Sequence, residues 1–199
     1  MFCQEIQTAV LLVSEKDDEA SFEKLFKHFY PNLLSFAESF LKNRFLAEEV
    51  VEDVFIKLWA NRKVLSAIKN LTYYLYVAVK HETINCLTKQ KRLAMLSLDE
   101  VEVEPLHFHK TPESILISAE ITKEIEGAIN DLPPRCQLIF RLVKEDGLKY
   151  REAADLLNVS VKTVETQISL ALSKITEVIS AKLPHTATDN FSGYLKTAR

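Results

Sequence analysis

Three glycines in 199 residues leave this chain almost nothing with which to build a sheet. Tight hairpin turns and bulges need positive φ angles, which glycine supplies at no steric cost, so helices are favoured over a many-stranded sheet. With 47% hydrophobic and 27% charged residues, the chain suits one or two domains, each burying a core of its own. That composition also excludes disorder or a membrane bundle as a global description. Cys3, Cys86 and Cys136 lie far apart with no C-x-x-C pair, which is neither a disulfide framework nor a zinc pattern. The most apolar N-terminal run, Ala9 to Val13, is too short for a signal h-region or a bilayer span. A reducing cytoplasm and no membrane insertion are expected.

The formal net charge of -3 argues against a protein that holds nucleic acid unaided through its phosphates. The average hides a segregation. Residues 61–92 carry seven basic side chains against one acidic, and residues 93–130 carry two basic against eight acidic. Neighbouring segments of opposite sign suggest different partners.

Helical periodicity begins at Phe22 and continues through Leu25, Phe26, Phe29, Leu33, Phe36, Ala37 and Phe40, with Pro31 dividing it into two helices or kinking one. Ala47, Val50, Val51, Val54, Phe55 and Leu58 form a cleaner ladder, with Glu48, Glu49, Glu52 and Asp53 opposite and Trp59 closing it against the core. A polar connector, Asn61 to Asn70, leads to a third helix from about Leu71 to Lys91. Its first half is apolar nearly all round and so expected to be buried. Residues 93–112 lose the period and read as an acidic linker, in which His107 and His109 are expected to be solvated rather than metal-bound. Thr111-Pro112-Glu113 then resembles a helix start, continued by Ile115, Leu116, Ala119, Ile125, Ala128 and Ile129. Asp131 is expected to cap the next helix ahead of Pro133 and Pro134, and Asp146-Gly147 to end it with a left-handed glycine. The expected fold is therefore all-α, two helical domains joined by a flexible linker. Its segments are 1–92, the linker 93–112, 113–183, and a disordered tail, 184–199.

The most specific pattern is LKYREAADLLNVSVKTVETQISLALSK, residues 148–174. A helix from about Arg151 to Leu157 buries Ala153, Leu156 and Leu157. Asn158 takes the turn, and a second helix after Ser160 buries Val164 and Ile168. Two helices crossing steeply need a small residue at the contact, here Ala154, and a turn residue that tolerates left-handed φ. Ser160 caps the second helix and leaves Lys162, Thr163, Glu165, Thr166 and Ser169 on the face that would enter a major groove. This is the pattern of a DNA-binding helix-turn-helix; an ordinary αα-hairpin is the alternative.

Taken with FEKLFKHFYPNLLSFAESFL (22–41), AEEVVEDVFIKLW (47–59), NLTYYLYVAVKHETINCLTKQKR (70–92) and DLPPRCQLIF (131–140), the whole chain from about Phe22 to Lys182 resembles the extracytoplasmic-function sigma factors of bacterial RNA polymerase. The resemblance implies a promoter-specificity subunit, with core RNA polymerase, promoter DNA and an anti-sigma factor as partners and no cofactor or metal. It implies that the helix carrying Glu49, Glu52 and Asp53 docks on the clamp helices of the polymerase largest subunit, while the C-terminal half meets the flap and reads the minus-thirty-five element. Glu52 stands where the family often has glutamine. The connector and third helix resemble the family's promoter-melting element, which traps bases unstacked from the minus-ten motif. Aromatic rings and basic residues suit that task. Lys63, Ser66, Lys69, Asn70, Tyr73, Lys80, His81 and Asn85 are the candidates, and two of Tyr73, Tyr74 and Tyr76 are expected in the core. At Glu165 and Leu170 many relatives place arginine or lysine, and His81 stands where asparagine is frequent.

A free-standing helix-turn-helix regulator binding operators as a dimer is the second reading, but it gives the 47–59 block and the basic segment no role. An enzyme would need a catalytic constellation, and the sequence holds no glycine-rich phosphate loop, nucleophile elbow or paired histidine ligands. An anti-sigma regulator would be expected to carry a membrane span or a His/Cys zinc motif, and neither occurs.

Overall fold

Capping side chains punctuate the first half of the chain. In the computed structural model, which describes residues 2–94 and 119–182, Asp18 accepts from the Ser21 N–H at 2.9 Å and Asn43 from the Leu46 N–H at 3.2 Å. Each satisfies a donor that a helix start leaves free. They open α2 (Glu19–Leu41) and α3 (Arg44–Ala60), which follow α1 (Phe2–Lys16). The intervening turns pass through Asp17 and Lys42 at φ 55° and 52°, a left-handed backbone that non-glycine residues seldom take. A 3₁₀ segment, Arg62–Ala67, then leads to α4 (Leu71–Ala94), whose start is held by Asn70 Oδ1 accepting from the Tyr73 N–H at 3.1 Å.

The periodic stripes become the core of this first unit. Leu25, Phe29, Leu33, Phe36 and Ala37 of α2 are buried, as is the α3 ladder Ala47, Val50, Val51, Val54, Phe55 and Leu58. Pro31 neither divides nor ends α2, which runs through it as one helix. Phe22 and Phe26 meet Phe55 edge-on with centroids 6.2 and 4.8 Å apart, Phe22 also meets Trp59 at 4.9 Å, and Phe36 meets Tyr76 edge-on at 5.0 Å. Ring pairs of this kind contribute about 0.5–1.5 kcal/mol each beyond the area they bury.

The structure adds two elements to the sequence reading of this unit and corrects two expectations for α4. Residues 2–16, passed over as an apolar run at Ala9 to Val13, form α1, with Ala9 and Val13 buried. The polar connector is a 3₁₀ turn anchored by Leu65, 1% exposed. The first half of α4 is not buried all round: Tyr74 is 44% exposed, and Val77 and Ala78 are half-buried. Of the three tyrosines only Tyr76 is a core residue, because Leu71, Leu75, Tyr76 and Val79 already supply the face that meets α2 and α3. α4 continues to Ala94, two residues past the expected boundary; the remainder of the linker, the helix start at 111–113, the histidines 107 and 109, and the tail 184–199 lie outside the described residues.

The second unit contains α5 (Ala119–Asn130), α6 (Pro134–Lys144), α7 (Tyr150–Leu157) and α8 (Val161–Lys182). Its core joins Ile129, Leu132, Ile139, Val143, Ala153, Val164, Ile168 and Ile175. Asn130 ties two helices together, its Oδ1 accepting from Arg141 at 3.0 Å and Gln137 at 3.2 Å. The Cys136 thiol, pushed up in pKa by burial, donates to the Gln167 carbonyl at 3.3 Å. The expected Asp131 cap does not form: Pro133 takes the N-cap position with no side-chain bond, and the Asp131 N–H closes α5 on the Gly127 carbonyl at 2.9 Å. Proline can serve there because it has no N–H needing a partner. Gly147 ends the segment after α6 at φ 72°, and Leu148 N–H reaches back to the Leu142 carbonyl at 2.9 Å, as a left-handed glycine permits.

Candidate nucleic-acid interface

The sharp turn of the C-terminal unit follows from Asn158, which sits at φ 55°, ψ 44° and ends α7. Asparagine tolerates this region better than other side chains. The N–H of Val159 then bonds the Ala154 carbonyl at 3.0 Å, and Ser160 caps α8, its Oγ accepting from the Thr163 N–H at 3.0 Å. Ala153 and Ala154 are fully buried where α7 crosses α8, while Leu157 is only half-buried. With Val164, Ile168, Ala171 and Ile175 all buried, the rotation of α8 is set, and Lys162, Glu165, Thr166 and Ser169 fall on the exposed side with Thr163 at its edge. Thr166 donates its hydroxyl to the Lys162 carbonyl and Ser169 to the Glu165 carbonyl, both at 2.9 Å, and Lys162 Nζ lies 3.4 Å from the Glu165 carboxylate. The geometry is that of a helix-turn-helix with an open second helix.

In the first unit, burial of the α3 ladder leaves Glu49, Glu52 and Asp53 exposed together, while Glu48 is half-buried and paired with Arg44 at 3.0 Å. Phe45 and Ile56, 73% and 66% exposed, share the stripe of Glu49 and Glu52 at helical spacing. They were not singled out from the sequence, although two apolar residues out of phase with the buried ladder are a readable signal. The acidic face is thus bracketed at each end by exposed apolar area.

The candidate melting residues gather less tightly. Ser66 and Lys69 are exposed on and after the 3₁₀ turn, and Tyr74, His81 and Asn85 follow one stripe of α4, with half-buried Tyr73 and Lys80 on the next. Asn70 acts as the cap of α4, and Asn85 hydrogen-bonds Glu82. Lys63 is already engaged, its Nζ 2.8 Å from the Asp17 carboxylate, which Arg62 also bonds from above the Trp59 ring at 4.6 Å. These two cations hold the Asp17 carboxyl below the usual aspartate range, Lys63 first. Neither Asp17 nor Arg62 was a sequence candidate, because their meeting depends on α1 packing against the 3₁₀ turn. A cleft of about 400 Å³ between α3 and α4 is floored by Val54, Leu58 and Val77, has Tyr74 and His81 in its wall, and is closed on one side by the Lys57–Glu82 ion pair at 2.6 Å. Among the described residues no helix is long and apolar enough to cross a membrane, and no His, Cys, Asp or Glu cluster could hold a metal ion.

Comparison with known proteins matches these two units separately. The Sigma-70 region 2 family model covers residues 25–93, and the Sigma-70, region 4 family model covers residues 122–175. The ECF RNA polymerase sigma factor SigW of Bacillus subtilis is 24% identical over 161 residues, spanning 77% of this chain and 86% of that protein. The ferric citrate uptake sigma factor FecI of Escherichia coli is 24% identical over 152 residues, spanning 76% and 87%. A solved structure of the sigma factor RpoE in complex with the anti-sigma factor NepR from Bartonella quintana aligns at 20% identity and a TM-score of 0.46, over 81% of this chain and 98% of that one. With the Sigma-70 region 2 and region 4 models both matched, in order, on the helices described above, the chain belongs to the sigma-70 family and is similar to its extracytoplasmic-function members.

Proposed function

We propose that this chain directs bacterial RNA polymerase to a defined class of promoters and takes part in melting them, with the work divided between segments 1–92 and 113–183 across the 93–112 linker. The observation that carries this reading is the pairing, in one chain, of a sigma region 2 unit and a region 4 helix-turn-helix. A free-standing operator-binding regulator leaves the first of these without a task.

In this reading Glu49, Glu52 and Asp53 meet basic residues of the polymerase clamp helices, and Phe45 and Ile56 add apolar area at either end of the contact. Exposed carboxylates steer and register an encounter, whereas the affinity of such a contact comes mainly from desolvated apolar anchors. Ser66, Lys69, Asn70, Tyr73, Lys80, His81 and Asn85 face the opened strand, and Lys63 can do so after exchanging its bond to Asp17 for a phosphate. Lys162, Thr163, Glu165, Thr166 and Ser169 lie against the minus-thirty-five element. The protein acts in the cytoplasm, supplies no covalent chemistry of its own, and is held inactive by an anti-sigma factor covering these same faces.

Run-off transcription with bacterial core polymerase on a promoter library tests the assignment. Initiation from a defined promoter class that requires the chain, and is abolished by the Glu49→Lys, Asp53→Lys double variant, is the expected result. Operator binding by the chain alone, with no association with core polymerase and no promoted initiation, overturns it. A Phe45→Ala, Ile56→Ala variant is expected to weaken association with the polymerase at least as much as the charge reversal does.

A further inference from the structure

On the open face of α8 the hydrogen-bonding capacity is unevenly spent. Thr166 and Ser169 donate their only hydroxyl protons to the helix's own carbonyls at Lys162 and Glu165, and Thr163 shares a 2.8 Å hydroxyl contact with the capping Ser160. What Thr166 and Ser169 turn outward is therefore lone pairs. Glu165, exposed at the middle of the face, adds a carboxylate that only accepts. Lys162 stands beside it as a cationic donor, its side chain 83% exposed and its Nζ 3.4 Å from the carboxylate.

An anion at the centre of a groove-reading helix is repelled by the phosphates on either side and by most base edges. In the major groove guanine offers two acceptors, thymine an acceptor and a methyl group, and adenine an acceptor next to its amine. Cytosine alone presents there an amino donor with no acceptor on the same base. Resting on the minus-thirty-five reading above, we propose that Glu165 is a specificity-determining residue that selects cytosine at one position of the upstream promoter element. Its carboxylate accepts a hydrogen bond from the exocyclic N4 amine, and Lys162 offsets its charge against the neighbouring phosphates. The acceptor-rich surface of Thr166 and Ser169 extends the same preference, for amine-bearing over carbonyl-bearing edges, to the adjoining bases.

The test is initiation by core polymerase with the full chain on a library randomised across the upstream element, for wild type, Glu165→Gln and Glu165→Ala. The wild type is expected to favour cytosine at one position by about tenfold, the discrimination of a single good base contact. Glu165→Ala is expected to abolish that preference, and Glu165→Gln to move it to adenine, whose N6 and N7 a glutamine amide can match. Preferences at the other upstream positions should survive in both variants, which also reports that α8 remains folded. An absence of cytosine preference in the wild type, or its persistence in both variants, overturns the proposal and leaves the sigma assignment intact. A wild type that initiates from no library member overturns that assignment and, with it, this role for Glu165.

Discussion

Thr83, 2% exposed on α4, has a hydroxyl oxygen with no hydrogen-bond partner among the described residues. An unsatisfied buried hydroxyl costs on the order of 1–3 kcal/mol, so Thr83→Val, which keeps the branched shape, is expected to stabilise the first unit by about 1 kcal/mol in thermal or denaturant unfolding. A decrease in stability would mean that the hydroxyl holds a partner in solution. Asn158 works in the opposite sense. At φ 55° a side chain without asparagine's local bonding pays the left-handed penalty, so Asn158→Ala is expected to cost about 1–2 kcal/mol, and Asn158→Gly to be nearly neutral. Equal losses from alanine and glycine would place the role of Asn158 in its amide rather than in its backbone. That the turn needs such a residue was legible from one asparagine between two amphipathic stretches. The isolation of Thr83 was not, since a threonine in a helix ordinarily has solvent or a preceding carbonyl within reach.

The helices of the first unit are joined by apolar stripes that periodicity reveals and by ion pairs that it does not. Lys57 of α3 and Glu82 of α4 meet at 2.6 Å, and the bond from Lys57 holds the Glu82 carboxyl below its usual value of 4.5 while Glu82 raises the Lys57 ammonium. Because the folded value of Glu82 is the lower one, its stabilising effect is complete above about 4.5 and is lost as pH falls through the folded value. Glu82→Gln is therefore expected to be less stable than wild type at pH 7, with the two unfolding curves converging in acid. A gap that stays constant down to the lowest pH at which the protein folds would remove this pair from the acid limb. Periodicity marked α2, α3 and both helices of the helix-turn-helix, because their buried faces repeat every three to four residues. It missed α1 and the 3₁₀ turn, whose few anchors, Ala9, Val13 and Leu65, are too sparse to form a repeat.

Across the whole molecule the charge is restrained. The chain is formally -3, and residues 131–183 hold eight basic against seven acidic side chains. Phosphate neutralisation supplies most of the sequence-independent affinity for DNA, so the isolated chain is expected to bind promoter duplex no more tightly than the roughly micromolar non-specific range at physiological salt. Its salt dependence should be shallower than that of its complex with polymerase, and fluorescence anisotropy across a salt titration measures both. Tight, steeply salt-dependent binding by the chain alone would favour a free-standing regulator. What the sequence determined by itself is the helical class, the helix-turn-helix, the acidic face of α3 and the separation into two units. Each depends on local spacing or on scarce residue types, which read the same in any tertiary context. Packing in three dimensions settled instead which aromatic residues are core, that Lys63 and Arg62 are bonded to Asp17, and that Phe45 and Ile56 stand in the open. Those outcomes depend on neighbours distant along the chain, and burial and ion pairing are settled by what arrives in space rather than by what is adjacent in sequence.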